Sequence, residues 1–174
     1  MSPRVILVGL PGTGKTTTGR RLAKILAVDF ADSDELVEES TGQSVRDLFA
    51  EGESVFRAAE QATVAAALDH FEGVLALGGG ALTSVGTRDH VRASQAPVVL
   101  LRASLSTLTV RVGDATSRPL LTADPAVRLR ALEAERAPVY DDIATISVET
   151  DDRTPGQVAS HIAAELHRRG VDGV

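Results

Sequence analysis

Val5–Val8 is an unbroken apolar run that stops at glycine, the pattern of a strand buried on both faces. The residues after it change period. Leu22, Ala23 and Leu26 recur at helical spacing over Thr16–Leu26. A second short strand is expected to end near Phe30–Ala31, and short helices over Asp34–Ser40 and Val45–Glu51. Glu53–His70 reads as a longer helix, with Val55, Ala59, Ala62 and Ala66 as its apolar stripe and Phe56 beside it. Val74–Leu77, Pro97–Leu101 and Thr145–Val148 read as three more strands. No element is assigned between Leu77 and Pro97. Leu105–Val112 and Asp124–Arg136 read as helices. Thr154 caps a last helix with Pro155 at its first position, and Val158, Ile162 and Leu166 form its buried face. Strand and helix alternate throughout, which predicts a parallel sheet covered on both faces. Gly113–Ala123 is the longest irregular stretch and is expected to be a lid.

Composition narrows the class. A chain of 174 residues without linker or repeat is expected to be one domain, residues 1–174. Aromatic residues make up 3%, so Val, Leu, Ile and Ala must fill the core. The absence of cysteine excludes disulfides and thiolate-bound metals. No apolar run approaches the roughly 20 residues of a membrane span, and the N-terminal run lacks a signal-peptide cleavage pattern. A cytoplasmic protein with no membrane partner is expected. A net charge of −6 speaks against a nucleic-acid partner, because phosphate backbones bind basic surfaces.

Candidate chemistry begins at the glycine that ends the first strand. Gly9-Leu-Pro-Gly12-Thr13-Gly14-Lys15-Thr16 fits G-x-x-x-x-G-K-[ST] between a strand and a helix. Backbone N–H groups of such a loop converge on phosphate oxygens. Lys15 is expected on the β- and γ-phosphates and Thr16 on Mg²⁺. Lysine here is informative, since 16 of the 18 basic residues are arginine. A compact ammonium suits the phosphate cradle better than a wide guanidinium. A nucleoside triphosphate with Mg²⁺ is therefore expected. Guanine recognition through Asn-Lys-x-Asp is excluded, because the chain has no asparagine.

The third strand runs into Gly78-Gly79-Gly80 and offers no acid for the Mg²⁺ shell. Asp32 and Asp34, after the second strand, are the alternative, although Asp32 or Ser33 can equally cap a helix. In parallel α/β folds the site lies at the carboxyl ends of the strands. The phosphate loop, Asp32/Asp34 and Gly78–Gly80 should therefore share one crevice. Arg57 and Glu60 stand i, i+3 and can pair, with Glu60 orienting the guanidinium. Arg136 is expected at the C-terminal end of its helix, where it could merely complement the dipole. Arg118 lies in the expected lid, where an arginine can neutralise charge on a transferring phosphoryl group.

Taken in order, GLPGTGKT at 9–16, DSD at 32–34, FRAAE at 56–60, LGGGA at 77–81, SRPLL at 117–121 and RAPVY at 136–140 resemble the shikimate kinases, within the nucleoside-monophosphate-kinase-like P-loop family. The resemblance implies a P-loop kinase fold with a mobile lid: three layers, α/β/α, around a five-stranded parallel sheet in the order 2-3-1-4-5. It implies a monomer with an acceptor-binding region at about 32–61 and a lid at about 112–124. ATP and Mg²⁺ would serve transfer of a phosphoryl group to the 3-hydroxyl of shikimate. Matching positions imply Asp34 as base, Lys15 and Arg118 on the transferring phosphate, and Asp32 with Thr16 at Mg²⁺. Arg57, Arg136 and the backbone of Gly78, Gly79 and Gly80 would hold shikimate, with Phe49 and Phe56 as walls. Gly12, Thr13, Gly14, Thr16 and Thr17 would hold the phosphates, and Arg111, Arg153 and Pro155 would flank adenine. Two other readings remain open: a gluconate kinase of the same fold, and a silent nucleotide-binding regulatory protein.

Overall fold

In the computed structural model, which describes residues 2–113 and 124–171, the run Val5–Val8 is the central strand β1 and is buried throughout. It leads through the glycine loop into α1 (Lys15–Leu26). The chain continues as β2 (Asp29–Asp32), α2 (Ser33–Thr41), α3 (Val45–Glu51), α4 (Glu53–His70) and β3 (Gly73–Ala76). A single 3₁₀ turn, Ala81–Thr83, precedes α5 (Val85–Ser94). Then follow β4 (Val98–Arg102), α6 (Leu105–Gly113), α7 (Pro125–Ile143), β5 (Ile146–Glu149) and α8 (Pro155–Arg168).

The strands form one parallel sheet in the order β2-β3-β1-β4-β5, as expected. Alternation along β1 divides the core. Ile6 and Val8 face a layer containing Val64 and Leu68 of α4, Leu108 of α6 and Leu129 and Leu132 of α7. Val5 and Leu7 face Leu22 and Leu26 of α1 and Val158, Ile162 and Leu166 of α8. Thr154 and Gln157 close a full capping box at the start of α8, as the sequence suggests. A small satellite of Val37, Leu48 and Phe56 ties α2, α3 and α4 together over the end of β2.

Four expectations need correction. Helix α5 is absent from the sequence reading. Only Thr87 and Val91 are buried on it, so it shows no apolar stripe, and its start rests on Ser84 accepting from the Thr87 N–H. Topology requires a crossover there, since parallel strands cannot be joined by a tight turn. Helix α7 does not stop near Arg136. It runs through Pro138 to Ile143, and buried Tyr140 and Ile143 hold the turns that a proline would weaken. Helix α4 buries Phe56, Glu60, Val64, Ala67 and Leu68, while Val55, Ala62 and Ala66 are exposed. The expected stripe was on the wrong face, because the true one contains a carboxylate. Finally, β3 begins at Gly73, and Leu77 extends its ladder with an N–H bond to Leu7 O of 2.9 Å. Residues 114–123, with Arg118 and most of the expected lid, lie outside the described residues. Val112 and Gly113 belong to α6, and Asp124 caps α7 through the Ala126 N–H.

Candidate active site

The order of the sheet sets β1, β3 and β2 side by side, so the three segments that leave their carboxyl ends meet. They line a cavity of about 260 Å³. Gly12, Gly14, Lys15, Thr16 and Thr17 come from the phosphate loop and the start of α1. Asp32 and Asp34 come from the β2–α2 junction, Phe49 from α3, Phe56, Arg57 and Glu60 from α4, Gly78–Gly80 from the turn after β3, and Arg136 from α7.

The loop takes its shape from Gly12 and Gly14, both at φ near +89°, where a Cβ is strained. Lys15 Nζ donates to Gly9 O at 2.8 Å and Leu10 O at 3.2 Å. Thr16 Oγ1 donates to Asp32 Oδ2 at 2.7 Å, and Asp32 Oδ1 accepts the Asp34 N–H at 3.0 Å. The two readings of Asp32 therefore hold together: one oxygen caps α2 and the other meets the phosphate loop. These hard oxygen donors beside a phosphate cradle suit Mg²⁺, which keeps several waters and takes few protein ligands.

Asp34 is enclosed. Burial and the carboxylates of Asp32 and Glu60 push its pKa up from 3.8 to about 6, against the opposing pull of Lys15 and Arg57. Such a carboxyl is poised to give and take a proton near neutrality. Arg57 Nη1 pairs with Glu60 Oε2 at 2.6 Å, and its Nη2 lies 3.6 Å from Glu53 Oε1. Its guanidinium also sits 5.1 Å from the Phe56 ring centre and 5.7 Å from that of Phe49. Those two rings stack with centroids 4.4 Å apart. The aromatic pair is thus a platform for an arginine as well as a wall of the cavity. Glu60 is 2% exposed, and burial raises its pKa while Arg57 and Arg136 hold it down. Arg136 is 4% exposed and lies well inside α7, so dipole complementation does not explain it. Glu60 Oε1 and Arg136 Nε are both buried without a hydrogen-bond partner.

Neighbouring side chains also account for the three glycines. A Cβ at Gly78 would lie 2.7 Å from Asp34 Oδ1 and 2.9 Å from Glu60 Oε1. At Gly79 it would lie 3.0 Å from Arg136 Nη1, and at Gly80 it would enter the Arg57 guanidinium. The Gly78 N–H is not open to a ligand, since it donates to Ser33 Oγ at 2.8 Å. Gly78 makes room for two carboxylates of the cavity, and Gly79 and Gly80 for one arginine each.

A second cavity, about 240 Å³, opens on the other side of the phosphate loop. Gly12, Thr13, Gly14 and Thr17 line it together with Arg111, Thr150, Arg153 and Pro155. Arg111 is held by Gly12 O at 3.3 Å and by Thr150 Oγ1 and O at 3.2 and 3.3 Å. The structure thus joins all the expected residues except Arg118, which lies outside the described residues. Sequence reasoning overlooked Ser33, Pro11, Val45, Thr150 and Tyr140. Tyr140 stands in the quoted RAPVY segment, and a lone tyrosine in an aromatic-poor chain was the signal available.

Comparison with known proteins agrees with this geometry. The family model described as shikimate kinase matches residues 11–167. A shikimate kinase from Mycobacterium tuberculosis (strain ATCC 25177 / H37Ra) is 49% identical over 168 residues, covering 95% of this chain and 94% of that protein. The structure of a shikimate kinase from Acinetobacter baumannii in complex with shikimate superposes with a TM-score of 0.88 at 32% identity, covering 97% of this chain and 94% of the other. A gluconokinase from Sinorhizobium meliloti 1021 superposes at 0.67 with 19% identity, over 97% of this chain and 93% of its own, a likeness of fold alone.

Proposed function

The chain belongs to the shikimate kinase family, and from that premise we propose how its own residues carry out ATP-dependent phosphorylation of shikimate. The protein is an enzyme that transfers the γ-phosphoryl group of ATP to the 3-hydroxyl of shikimate, giving shikimate 3-phosphate and ADP. The observation that supports the assignment of roles is the meeting of Asp34, Arg57 and Arg136 with the phosphate loop in one cavity.

Shikimate is a small ring bearing a carboxylate and vicinal hydroxyls. Arg57 and Arg136 grip the carboxylate, where paired N–H donors match two oxygens. Asp34 accepts a hydrogen bond from the hydroxyl and takes its proton as that oxygen bonds to the γ-phosphorus. The bond from phosphorus to the bridging oxygen breaks, and ADP leaves. With a pKa near 6, Asp34 is ionised at neutral pH yet basic enough to receive the proton. Lys15 leaves its carbonyl partners in the loop for the phosphates, and Arg118 meets the transferring group. Thr16 and Asp32 hold Mg²⁺, which when bound neutralises phosphate charge. The second cavity takes the adenosine half, with Arg111, Arg153 and Pro155 about the base. We read the enzyme as a cytoplasmic monomer.

A coupled assay of ADP release tests this. ATP with shikimate is expected to turn over, while ATP alone or with gluconate stays at background. Release with gluconate and none with shikimate would overturn the assignment.

A further inference from the structure

Tyr140 lies outside the lining of the acceptor cavity yet holds the glycine turn that forms part of it. It sits one helical turn beyond Arg136 on α7 and is 5% exposed. Its hydroxyl donates to Gly79 O at 2.6 Å, and the positive charge of Arg136 lies close enough to the phenol to oppose the rise of its pKa. Burial pushes its pKa up to about 12, so it remains a donor throughout the working range of pH.

The contact bears on the cavity. Holding the Gly79 carbonyl fixes the plane of the Gly79–Gly80 peptide. In a trans peptide the N–H points opposite to the C=O. The Gly80 N–H is thus turned away from Tyr140. On the other flank, Ser33 Oγ holds the preceding turn through the Gly78 N–H. Arg136 has its Nε buried without a hydrogen-bond partner. The same Arg136 lies against the space that a Cβ on Gly79 would fill.

We propose that Tyr140 is a positioning residue for the acceptor: its hydroxyl holds the Gly79 carbonyl and so fixes the glycine turn against which the carboxylate-gripping guanidinium of Arg136 lies. The inference rests on the shikimate reading of the cavity. It gives the tyrosine of RAPVY a task in binding rather than in packing. Tyr140 is not among the residues that line the nucleotide cavity.

The experiment compares wild type with Tyr140→Phe, which keeps the ring in the core and removes only the hydroxyl. Steady-state kinetics with each substrate varied and calorimetric titration with shikimate are measured on both proteins. The variant is expected to raise KM and Kd for shikimate about tenfold, the scale of one buried hydrogen bond. KM for ATP should stay within about twofold. Unchanged constants for both substrates would overturn the proposal, as would equal rises in both, which mark a general packing loss. Should the variant not fold, wild type supplies its own reporter. Tyr140 is the only tyrosine, and the chain has no tryptophan. Saturating shikimate is expected to perturb the near-ultraviolet tyrosine band as Arg136 turns to the carboxylate. A band that does not change on saturation would overturn the proposal. Absence of wild-type turnover with shikimate would overturn the acceptor reading and this inference together. Wild-type turnover with an unaltered Tyr140→Phe would overturn the inference alone.

Discussion

Asp34 illustrates what a site costs at the scale of one residue. Its folded pKa, near 6, lies above the ordinary 3.8, so the folded state holds the proton more tightly than the unfolded chain. The carboxyl thus favours folding fully below about pH 4, and that advantage is lost as pH rises through about 6. Ionised at higher pH, it costs the fold about 3 kcal/mol, the value of two pKa units. Asp34→Asn removes that cost. The variant should be more resistant to urea than wild type at about pH 8, with the difference gone near pH 4. Its kcat should fall by at least about a hundredfold, as general-base contributions run. A wild-type profile of kcat/KM for shikimate should fall below an apparent pKa of about 6.

Among the elements, the turn after β3 and helix α7 do the most to shape the acceptor side. The glycines of the turn face different charged groups, so their substitutions should separate by kinetic parameter. Gly78→Ala pushes on Asp34 and Glu60 and should lower kcat by about tenfold or more. Gly80→Ala pushes on Arg57 and should act mainly by raising KM for shikimate. The displaced atoms end flexible side chains, so melting temperatures should change little. If both variants altered the same constant equally, the separate roles would fail. The motif LGGGA was plain in the sequence, but the reason for it was not. Whether three glycines admit a ligand or make room for neighbouring side chains depends on Asp34, Arg57 and Arg136, which approach from other elements. The same limit misplaced the buried face of α4. Glu60 looks like a surface residue until Arg57 and Arg136 surround it.

For the whole molecule, the sheet order separates two cavities across one loop, with acceptor residues on one side and Arg111, Arg153 and Pro155 on the other. Ligands that bind only the folded chain should stabilise it independently. Shikimate at a hundred times its Kd is worth about 2.7 kcal/mol, and should raise the melting temperature by about 5–10 °C for a domain of this size. Gluconate at the same concentration should leave it unchanged. A shift from gluconate and none from shikimate would reassign the larger cavity.

Patterns of local origin were legible in the chain alone. The phosphate loop is contiguous, so its residues declare their role by spacing. Four apolar residues before a glycine mark β1, and Thr154-Pro155 marks the start of α8. Alternation of strand and helix leads to a parallel sheet, because crossovers must cover its faces. What the tertiary structure alone decided arises from convergence. Tyr140 reaches Gly79 across 61 positions of sequence, and Gly78 reaches Ser33 across 45. The raised pKa of Asp34 comes mostly from burial, with Asp32 and then Glu60 adding to it, and the burial and Glu60 come from other segments. Hydrogen bonding and desolvation act over a few ångströms in space. Sequence spacing encodes those distances within a helix or loop, and folding alone sets them between segments.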